Sequence, residues 1–275
     1  MIHALPRDGH EKARALFLGP HLELVIDAVI AGNHAGTIWV DDLAHPSTAL
    51  MWDHSYSYYL AGAADDAEVN EALARLVTER LFPEARARQI GVFKVYAASG
   101  EWEQTLEMLF PNRSLVRRWR VFYTFSCLKV PDWRKRVPDG FSVRRIDRET
   151  LEASALKNVA AVTEEIELMW NSVEAFLRRG FGFWMVAGDE IVCWCTAEYA
   201  SAGKCGIGIE TVEAHQMRGF ATLTAAAFAE HCVAEGITPH WEAWRANAPS
   251  VAVAEKVGFE KTVEFAVYVG RIGPA

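Results

Sequence analysis

Hydrophobic and polar positions along the chain form two successive series of similar elements. In the second half, β-branched and aromatic stretches predict strands at residues 141–146, 183–187, 191–199, 207–212, 238–244 and 264–270. Apolar residues at helical spacing predict helices at 148–159, 172–179, 222–232 and 249–257. The first half has a comparable order, with helices at 10–18, 22–32, 65–81 and 100–109 and strands at 36–41, 48–53, 56–61, 91–97 and within 114–130.

A polar, proline-bounded segment at 131–140 separates the two series and predicts a domain boundary. We therefore expect a mixed α/β fold, of the α+β kind with a mixed sheet, in two domains at 1–137 and 138–275. The repeated order of elements suggests two tandem copies of one fold. An unrelated α/β domain in the first half is the alternative.

The most informative stretch is the turn between the strand at 207–212 and the helix that follows it. Gly219 has no side chain, so the backbone there can approach a ligand closely. The first N–H groups of the helix have no partner inside it, and they lie at the positive end of the helix dipole. The backbone from Met217 to Ala221 is therefore predicted to bind an anion such as a pyrophosphate, with Arg218 as a side-chain contact.

Gln216, Gly219 and Ala221 resemble the Q/R-x-x-G-x-G/A signature of the GNAT superfamily of acyl-CoA-dependent N-acetyltransferases. The resemblance extends over roughly residues 140–270 and implies an enzyme, an acetyl-CoA-dependent N-acetyltransferase that acts by direct transfer in a ternary complex. Within the superfamily, the chain looks similar to the group that includes zwittermicin-type antibiotic resistance acetyltransferases. A non-catalytic acyl-CoA sensor or scaffold module is the alternative.

A second string begins at Asn247 and Ser250 and continues to Gly258 and Phe259, and it resembles the next helix of the same family. The resemblance implies that Asn247 contacts the coenzyme. An N-cap is the equally weighted alternative for this residue, since Pro249 follows it in the first turn of the helix.

The resemblance also places the pantetheine arm between the strand at 207–212 and the strand at 238–244. Main-chain N–H groups near Thr211 and Val212 would then polarise the thioester carbonyl. The residues expected to bind acetyl-CoA are Thr211, Val212, Gln216, Met217, Arg218, Gly219, Phe220, Ala221, Asn247 and Ser250.

The corresponding turn in the first half, Ala61 to Asp66, lacks the signature and contains Asp65 and Asp66. Two carboxylates would repel phosphates. We therefore expect a degenerate copy that binds no coenzyme and closes one end of the acceptor site.

An acceptor amine arrives protonated and must lose a proton before it attacks. Glu210 is the predicted base, because it lies on the strand beside the thioester in an apolar run where burial would make a carboxylate more basic. A carboxylate that is merely solvated at the strand end is the alternative. Glu198, Glu242 and His215 are weaker candidates for the base.

The family often has a tyrosine as general acid in the helix after the second string, where this chain has Ala254. Protonation of the leaving thiolate then falls to Ser250, Tyr268 or water, and departure of the unprotonated thiolate is the alternative. Ser250 is the predicted catalytic residue for this step.

Composition narrows the partners. The 275 residues carry a formal net charge of −8, which argues against nucleic acid and anionic membranes as main partners. Five scattered cysteines fit a reducing cytoplasm better than a disulfide framework, and we expect no metal. The sequence has no signal-like start and no long apolar run, so we expect a cytoplasmic enzyme for a small-molecule amine, with a homodimer left open.

Overall fold

The computed structural model describes residues 1–152 and 156–273, whose contacts divide them into two units. The first unit comprises Met1–Ile30, Ala35–Arg120 and the chain from Phe265 onward, and the second comprises Ala31–His34 and Val121–Glu264. The predicted bounds assumed two consecutive segments, whereas the observed units interleave. No helix in this described part of the chain is long and apolar enough to cross a membrane.

The strands are β1 (His3–Ala4), β2 (Thr37–Val40), β3 (Thr48–Trp52), β4 (Ser57–Gly62), β5 (Val92–Ala97), β6 (Val116–Phe125), β7 (Phe141–Arg145), β8 (Gly182–Ala187), β9 (Glu190–Ser201), β10 (Lys204–Thr211), β11 (Thr238–Trp244) and β12 (Phe259–Arg271). The α-helices are α1 (Pro20–Ile30), α2 (Ala67–Leu76), α3 (Phe82–Ala87), α4 (Leu106–Leu109), α5 (Arg148–Glu152), α6 (Val159–Met169), α7 (Val173–Arg179), α8 (Phe220–Glu235) and α9 (Ala248–Val257). Short 3-10 segments lie at Arg7–Leu16, Gly100–Gln104, Trp133–Arg136 and Glu213–His215, and a π-helical turn lies at Val77–Leu81.

The sheet of the first unit has the order β1-β2-β3-β4-β5-β12, with the C-terminal half of β12 at its edge. Strands β4 and β5 are parallel, and the other pairs are antiparallel. Its core is rich in aromatic side chains, because Trp52, Tyr58, Phe82, Phe93 and Phe110 are all fully buried and contact one another.

The sheet of the second unit has the order β12-β6-β11-β10-β9-β8-β7. Strands β10 and β11 are parallel, whereas β7 to β10 are antiparallel neighbours. Cys193 of β9 belongs to one hydrophobic cluster with Phe220 and Leu223 of α8, whereas the indole N–H of the next residue, Trp194, donates to Glu165 of α6. Because successive side chains point to opposite faces of a strand, α8 and α6 cover opposite faces of this sheet.

The predicted mixed α/β fold is confirmed, and one order of elements recurs in both units. Each unit has three antiparallel strands, a helical connection and a fourth strand parallel to the third: β2-β3-β4 with β5, and β8-β9-β10 with β11. The predicted helix at 148–159 is confirmed over α5 and wrong at Asn158. Helix α5 ends at Glu152, residues 153–155 lie outside the described chain, and Asn158 has a left-handed backbone with φ of 70° immediately before α6.

Candidate active site

A gap opens between the two parallel strands of the second unit. Pairing of β10 with β11 runs from Lys204 and Thr238 to Gly206 and His240, which are its last partners among the described residues. On its other edge, β10 stays paired with β9 as far as Thr211. One edge of β10 is therefore open from position 207 onward, and this agrees with the position predicted for the pantetheine arm.

The direction of the backbone N–H groups corrects the predicted pair of thioester donors. The N–H of Val212 donates to the carbonyl oxygen of Val192 on β9 at 3.0 Å, so it is not available to a thioester. Alternate N–H groups along a strand point to opposite edges. Thr211 and Ile209 therefore direct their N–H groups toward the gap, and Ile209 takes the place predicted for Val212.

The turn after β10 contains the left-handed glycine and the helix start on which the predicted anion site depends. Gly219 precedes α8 with φ of 82°, a left-handed backbone that glycine adopts without strain. A Cβ at this position would have nothing within 4 Å, so the turn faces open space. Met217 also has a positive φ of 61° and is 93% exposed. The side-chain amide of Gln216 donates to the carbonyl oxygen of Thr211 at 3.1 Å, which ties the turn to the end of β10.

The side chain of Arg218 packs against the outside of the turn. Its guanidinium lies 4.7 Å from the ring centre of Phe220 and 5.2 Å from that of Phe141. It also donates to Nδ1 of His215 at 3.1 Å. Nε2 of this imidazole lies 3.7 Å from a carboxylate oxygen of Glu190. The arginine therefore places a positive charge beside the turn, as an anion site requires.

A cavity of about 390 Å³ extends along the gap from the turn to α9. The predicted site residues that line it are Glu210, Thr211, Gln216, Met217, Gly219, Phe220, Ala221, Asn247 and Ser250. Val212 and Arg218 are outside this lining. The structure thus brings together most of the residues that the two sequence strings predicted to share one site.

The start of α9 forms the far wall of this groove. The side-chain oxygen of Asn247 accepts a hydrogen bond from the N–H of Ser250 at 3.3 Å, so Asn247 caps the helix, as one of the two alternatives predicted. The indole N–H of Trp241 donates to the Ser250 hydroxyl oxygen at 3.0 Å. Tyr268 instead lies in the core of the first unit, where burial, aided by Glu103, raises its pKa to about 12. Of the two side chains predicted as acids, only Ser250 lines the groove.

Glu210 lies at the rim of the groove, directly across from Trp194 on the neighbouring strand β9. Its side chain is exposed, so the burial on which its predicted basicity depended is not present. Its position beside the gap agrees with the prediction, whereas its environment does not.

Glu165 on α6 is a functional candidate that the sequence did not predict. Its carboxylate accepts hydrogen bonds from the indole N–H of Trp194 at 2.7 Å and from the hydroxyl of Thr196 at 3.1 Å. Burial raises the pKa of Glu165, the negative charge of Glu210 raises it further, and the two hydrogen bonds partly oppose the shift.

Glu198 lies beside Glu165 because a glycine leaves room for both carboxylates. A Cβ at Gly208 would lie 2.3 Å from Oε1 of Glu198 and 2.8 Å from Oε1 of Glu165. Within the described ranges, no group of three or more His, Cys, Asp and Glu side chains is arranged to hold a metal ion. The half-buried carboxylates of Glu165 and Glu198 therefore meet over Gly208, two residues beyond the last pair of β10 with β11. The solvent-accessible side of this acidic cluster is called the recess below.

A short segment from the first half of the sequence, Ala31–His34, belongs to the second unit. The side-chain amide of Asn33 donates to the carbonyl oxygen of Ala200 at 2.5 Å, and its oxygen accepts from Arg179 at 2.5 Å. His34 is hydrogen bonded to the carbonyl oxygen of Met169 at the end of α6. These bonds anchor the end of β9 and the corner between α6 and α7.

In the described part of the first unit, the corresponding strands stay paired to the end of β5, and the helix that follows β4 has a capped N-terminus. Strands β4 and β5 pair from Ser57 and Lys94 to Leu60 and Ala97. Helix α2 is capped by Asp66, whose carboxylate accepts from the N–H of Val69 at 3.1 Å. A carboxylate thus occupies the helix end where a phosphate would have to bind.

A mixed α/β unit whose parallel strands separate beside a glycine turn and a helix N-terminus is the acyltransferase arrangement that the sequence strings implied. The chain belongs to the GNAT acetyltransferase family, whose model matches residues 14–268. It is an N-acetyltransferase, as the resemblance predicted, and the similarity to the zwittermicin-type subgroup stays a prediction.

Similar proteins agree with this assignment. The chain is 24% identical over 269 residues to the uncharacterized N-acetyltransferase YdfB of Bacillus subtilis (strain 168), covering 98% of both chains. A crystal structure of a GCN5-related N-acetyltransferase-like protein from Streptococcus suis 89/1591 superposes with a TM-score of 0.69 and 21% identity, over 96% of this chain and 99% of that one. A tandem GNAT protein from the clavulanic acid biosynthesis pathway shares the fold over 100% of both chains, with a TM-score of 0.61 and 12% identity.

Proposed function

We propose that this enzyme transfers the acetyl group of acetyl-CoA to the primary amine of a small molecule, by direct attack in a ternary complex. The observation that carries the proposal is the gap between β10 and β11, which opens beside the turn at Gly219 and ends at Gly206. A ligand with an anionic end and a long, narrow arm fits this combination of an anion site and an open strand edge.

The geometry supports one direction for the coenzyme. With its pyrophosphate on the N–H groups of the turn, the arm runs back along the gap and brings the thioester toward the closed end. The N–H groups of Ile209 and Thr211 face this path and can donate to the thioester carbonyl, whose oxygen gains negative charge during attack. Asn247 has a side-chain amide at the same groove and is a proposed contact of the pantetheine arm.

In the proposed step, a carboxylate takes a proton from the acceptor ammonium. The neutral nitrogen attacks the thioester carbon, so a C–N bond forms as the C–S bond breaks, and the nitrogen loses its second proton to solvent. Ser250 is the proposed donor to the leaving thiolate. Its oxygen accepts from Trp241, which leaves its own O–H free to point elsewhere in the groove. Glu210 at the rim is the carboxylate that the sequence predicts for the first proton.

Negative charge on the acceptor side supports a cationic amine as substrate. Glu165 and Glu198 share the recess over Gly208, and Glu210 lies at its mouth. The similarity to zwittermicin-type resistance acetyltransferases stays a prediction that would place the acceptor among amino-polyols. All five thiols are free, four of them buried, and this supports a cytoplasmic location.

Release of coenzyme A thiol, measured with acetyl-CoA and a panel of amines, tests the proposal. We expect kcat/KM for free amino-polyols and polyamines to exceed that for lysine-containing peptides by about an order of magnitude or more, because a confined acceptor is held in attack geometry. Peptides that win by that margin would contradict the small-molecule acceptor. Tight acetyl-CoA binding without turnover on any amine would favour the non-catalytic sensor.

A further inference from the structure

The sheet face covered by α6 differs in character from the face covered by α8. On the α6 side, Trp194, Thr196 and Glu198 alternate along β9, and Gly208 and Glu210 lie across from them on β10. On the α8 side, the intervening positions of both strands are cysteine, alanine, isoleucine and threonine. Among these positions of β9 and β10, the carboxylates are therefore confined to the α6 face.

We propose that Glu165 accepts the proton of the acceptor ammonium; this inference rests on the proposed acetyl transfer. Its carboxylate is held by two neutral donors, Trp194 and Thr196, which fix its position over the β9–β10 pair. It borders the recess over Gly208, the second residue of β10 beyond the last pair with β11. An amine bound in that recess faces the closed end of the gap, where the thioester carbon arrives.

The environment of Glu165 suits proton transfer better than that of Glu210. Burial raises the pKa of Glu165, and the negative charges of Glu198 on β9 and Glu210 on β10 face the same recess. A base whose pKa lies closer to the working pH transfers a proton more effectively. Glu210 is exposed at the rim, where its charge attracts a cationic acceptor to the recess.

The step balances without a further reactant. Glu165 as carboxylate and the acceptor as ammonium become the neutral carboxylic acid and the neutral amine. The amine nitrogen then forms the C–N bond, the C–S bond breaks to give coenzyme A as thiolate, and the nitrogen releases its second proton to solvent. Ser250 or water protonates the thiolate. Solvent then returns a proton to Ser250 and takes one from Glu165, which restores the carboxylate.

The test compares Glu165→Gln with Glu210→Gln and Glu198→Gln across the pH profile of kcat/KM. We expect Glu165→Gln to lower kcat by about two to four orders of magnitude, while acetyl-CoA affinity stays unchanged. The acidic limb, which is the fall of kcat/KM toward low pH, should disappear in this variant. The other two variants should weaken acceptor use but keep the acidic limb. Glu164→Gln changes an exposed carboxylate on the same helix and should leave kcat and the limb as in the wild type.

The assignment of the base to Glu165 fails if Glu165→Gln keeps the acidic limb, or if the limb disappears in Glu210→Gln instead. In either case, turnover by the wild type would still support the proposed function. If the wild type turns over no amine, both the proposed acetyl transfer and the role of Glu165 are contradicted. A titration of ¹³C-labelled glutamate carboxylates by NMR gives a second readout that needs no turnover. One resonance with a raised pKa should be present in the wild type and absent in Glu165→Gln, and its persistence in that variant would overturn the assignment.

Discussion

At the scale of single residues, the sequence predicted that Asn247 either caps α9 or contacts the coenzyme. Its side-chain oxygen caps α9, and the residue also lines the groove. Replacement by alanine should lower the free energy of unfolding by about 1 kcal/mol, because a first-turn N–H loses its acceptor. Asn247→Asp keeps the acceptor and should keep the stability, as measured by urea denaturation.

Coenzyme affinity of the same two variants separates the second role. The aspartate variant would retain the cap but lose the amide N–H donors, so weakened acetyl-CoA binding in Asn247→Asp indicates a direct contact. Equal stability loss in both variants would contradict the capping role.

His240 predicts a pH dependence of stability. Burial, together with the nearby charge of Lys204, lowers its pKa from 6.5 to about 4, and its ring stacks on Phe122 at 5.1 Å. Between these two values the unfolded chain binds a proton that the folded chain does not. Stability from the neutral imidazole is therefore present above pH 6.5 and is lost as the pH falls toward 4.

In urea denaturation at a series of pH values, His240→Gln should show a smaller loss of stability across this window than the wild type. Equal slopes for the two proteins between pH 6.5 and 4 would show that His240 does not titrate as its surroundings imply.

At the scale of elements, local signals were predictable and registers were not. Strand β10, the glycine turn and helix α8 are determined by neighbouring residues. Their observed positions therefore agree with the predicted ones to within a few residues. Helix α6 was missed because Asn158 interrupts the helical series with a left-handed backbone. Val162 and Ile166, four residues apart and buried, were the signal that could have revealed it.

The role of Glu165 could not be read from its own helix. It depends on which residues of β9 lie beneath α6, and that register is set by pairing with β8 and β10. The same limit explains why Val212 was wrongly predicted as a thioester donor. The edge to which a backbone N–H points depends on strand pairing and not on residue type.

The pairing of β4 with β5 and of β10 with β11 predicts that only the second unit binds a coenzyme. Because β4 stays paired with β5 up to the end of β5 at Ala97, removing the negative charge near α2 should not create a coenzyme site. A protein with Asp65→Asn and Asp66→Asn together keeps a capping side chain at position 66 and should still bind one acetyl-CoA per chain in calorimetry. A second equivalent of bound coenzyme would show that charge alone had suppressed the site.

At the scale of the whole molecule, the division of the chain was only partly predictable. The repeated order of elements was visible in the sequence, because each element has its own periodicity. The interleaving of the two units was not visible in the sequence. It depends on contacts between distant residues, which pair β12 with β5 and place Ala31–His34 in the second unit. That the first unit closes the acceptor site stays a prediction.

The central claim is that one acetyl-CoA binds at the turn between β10 and α8. Titration calorimetry of wild type, Gly219→Val and Gly236→Val tests it most directly, because both glycines have a positive φ at the two ends of α8 and both face open space. We predict one coenzyme per chain for the wild type and for Gly236→Val. Gly219→Val should lose about two orders of magnitude or more in affinity, since several charge-assisted hydrogen bonds of about 1.5–3 kcal/mol each are blocked. Unchanged affinity in a folded Gly219→Val protein would contradict the site.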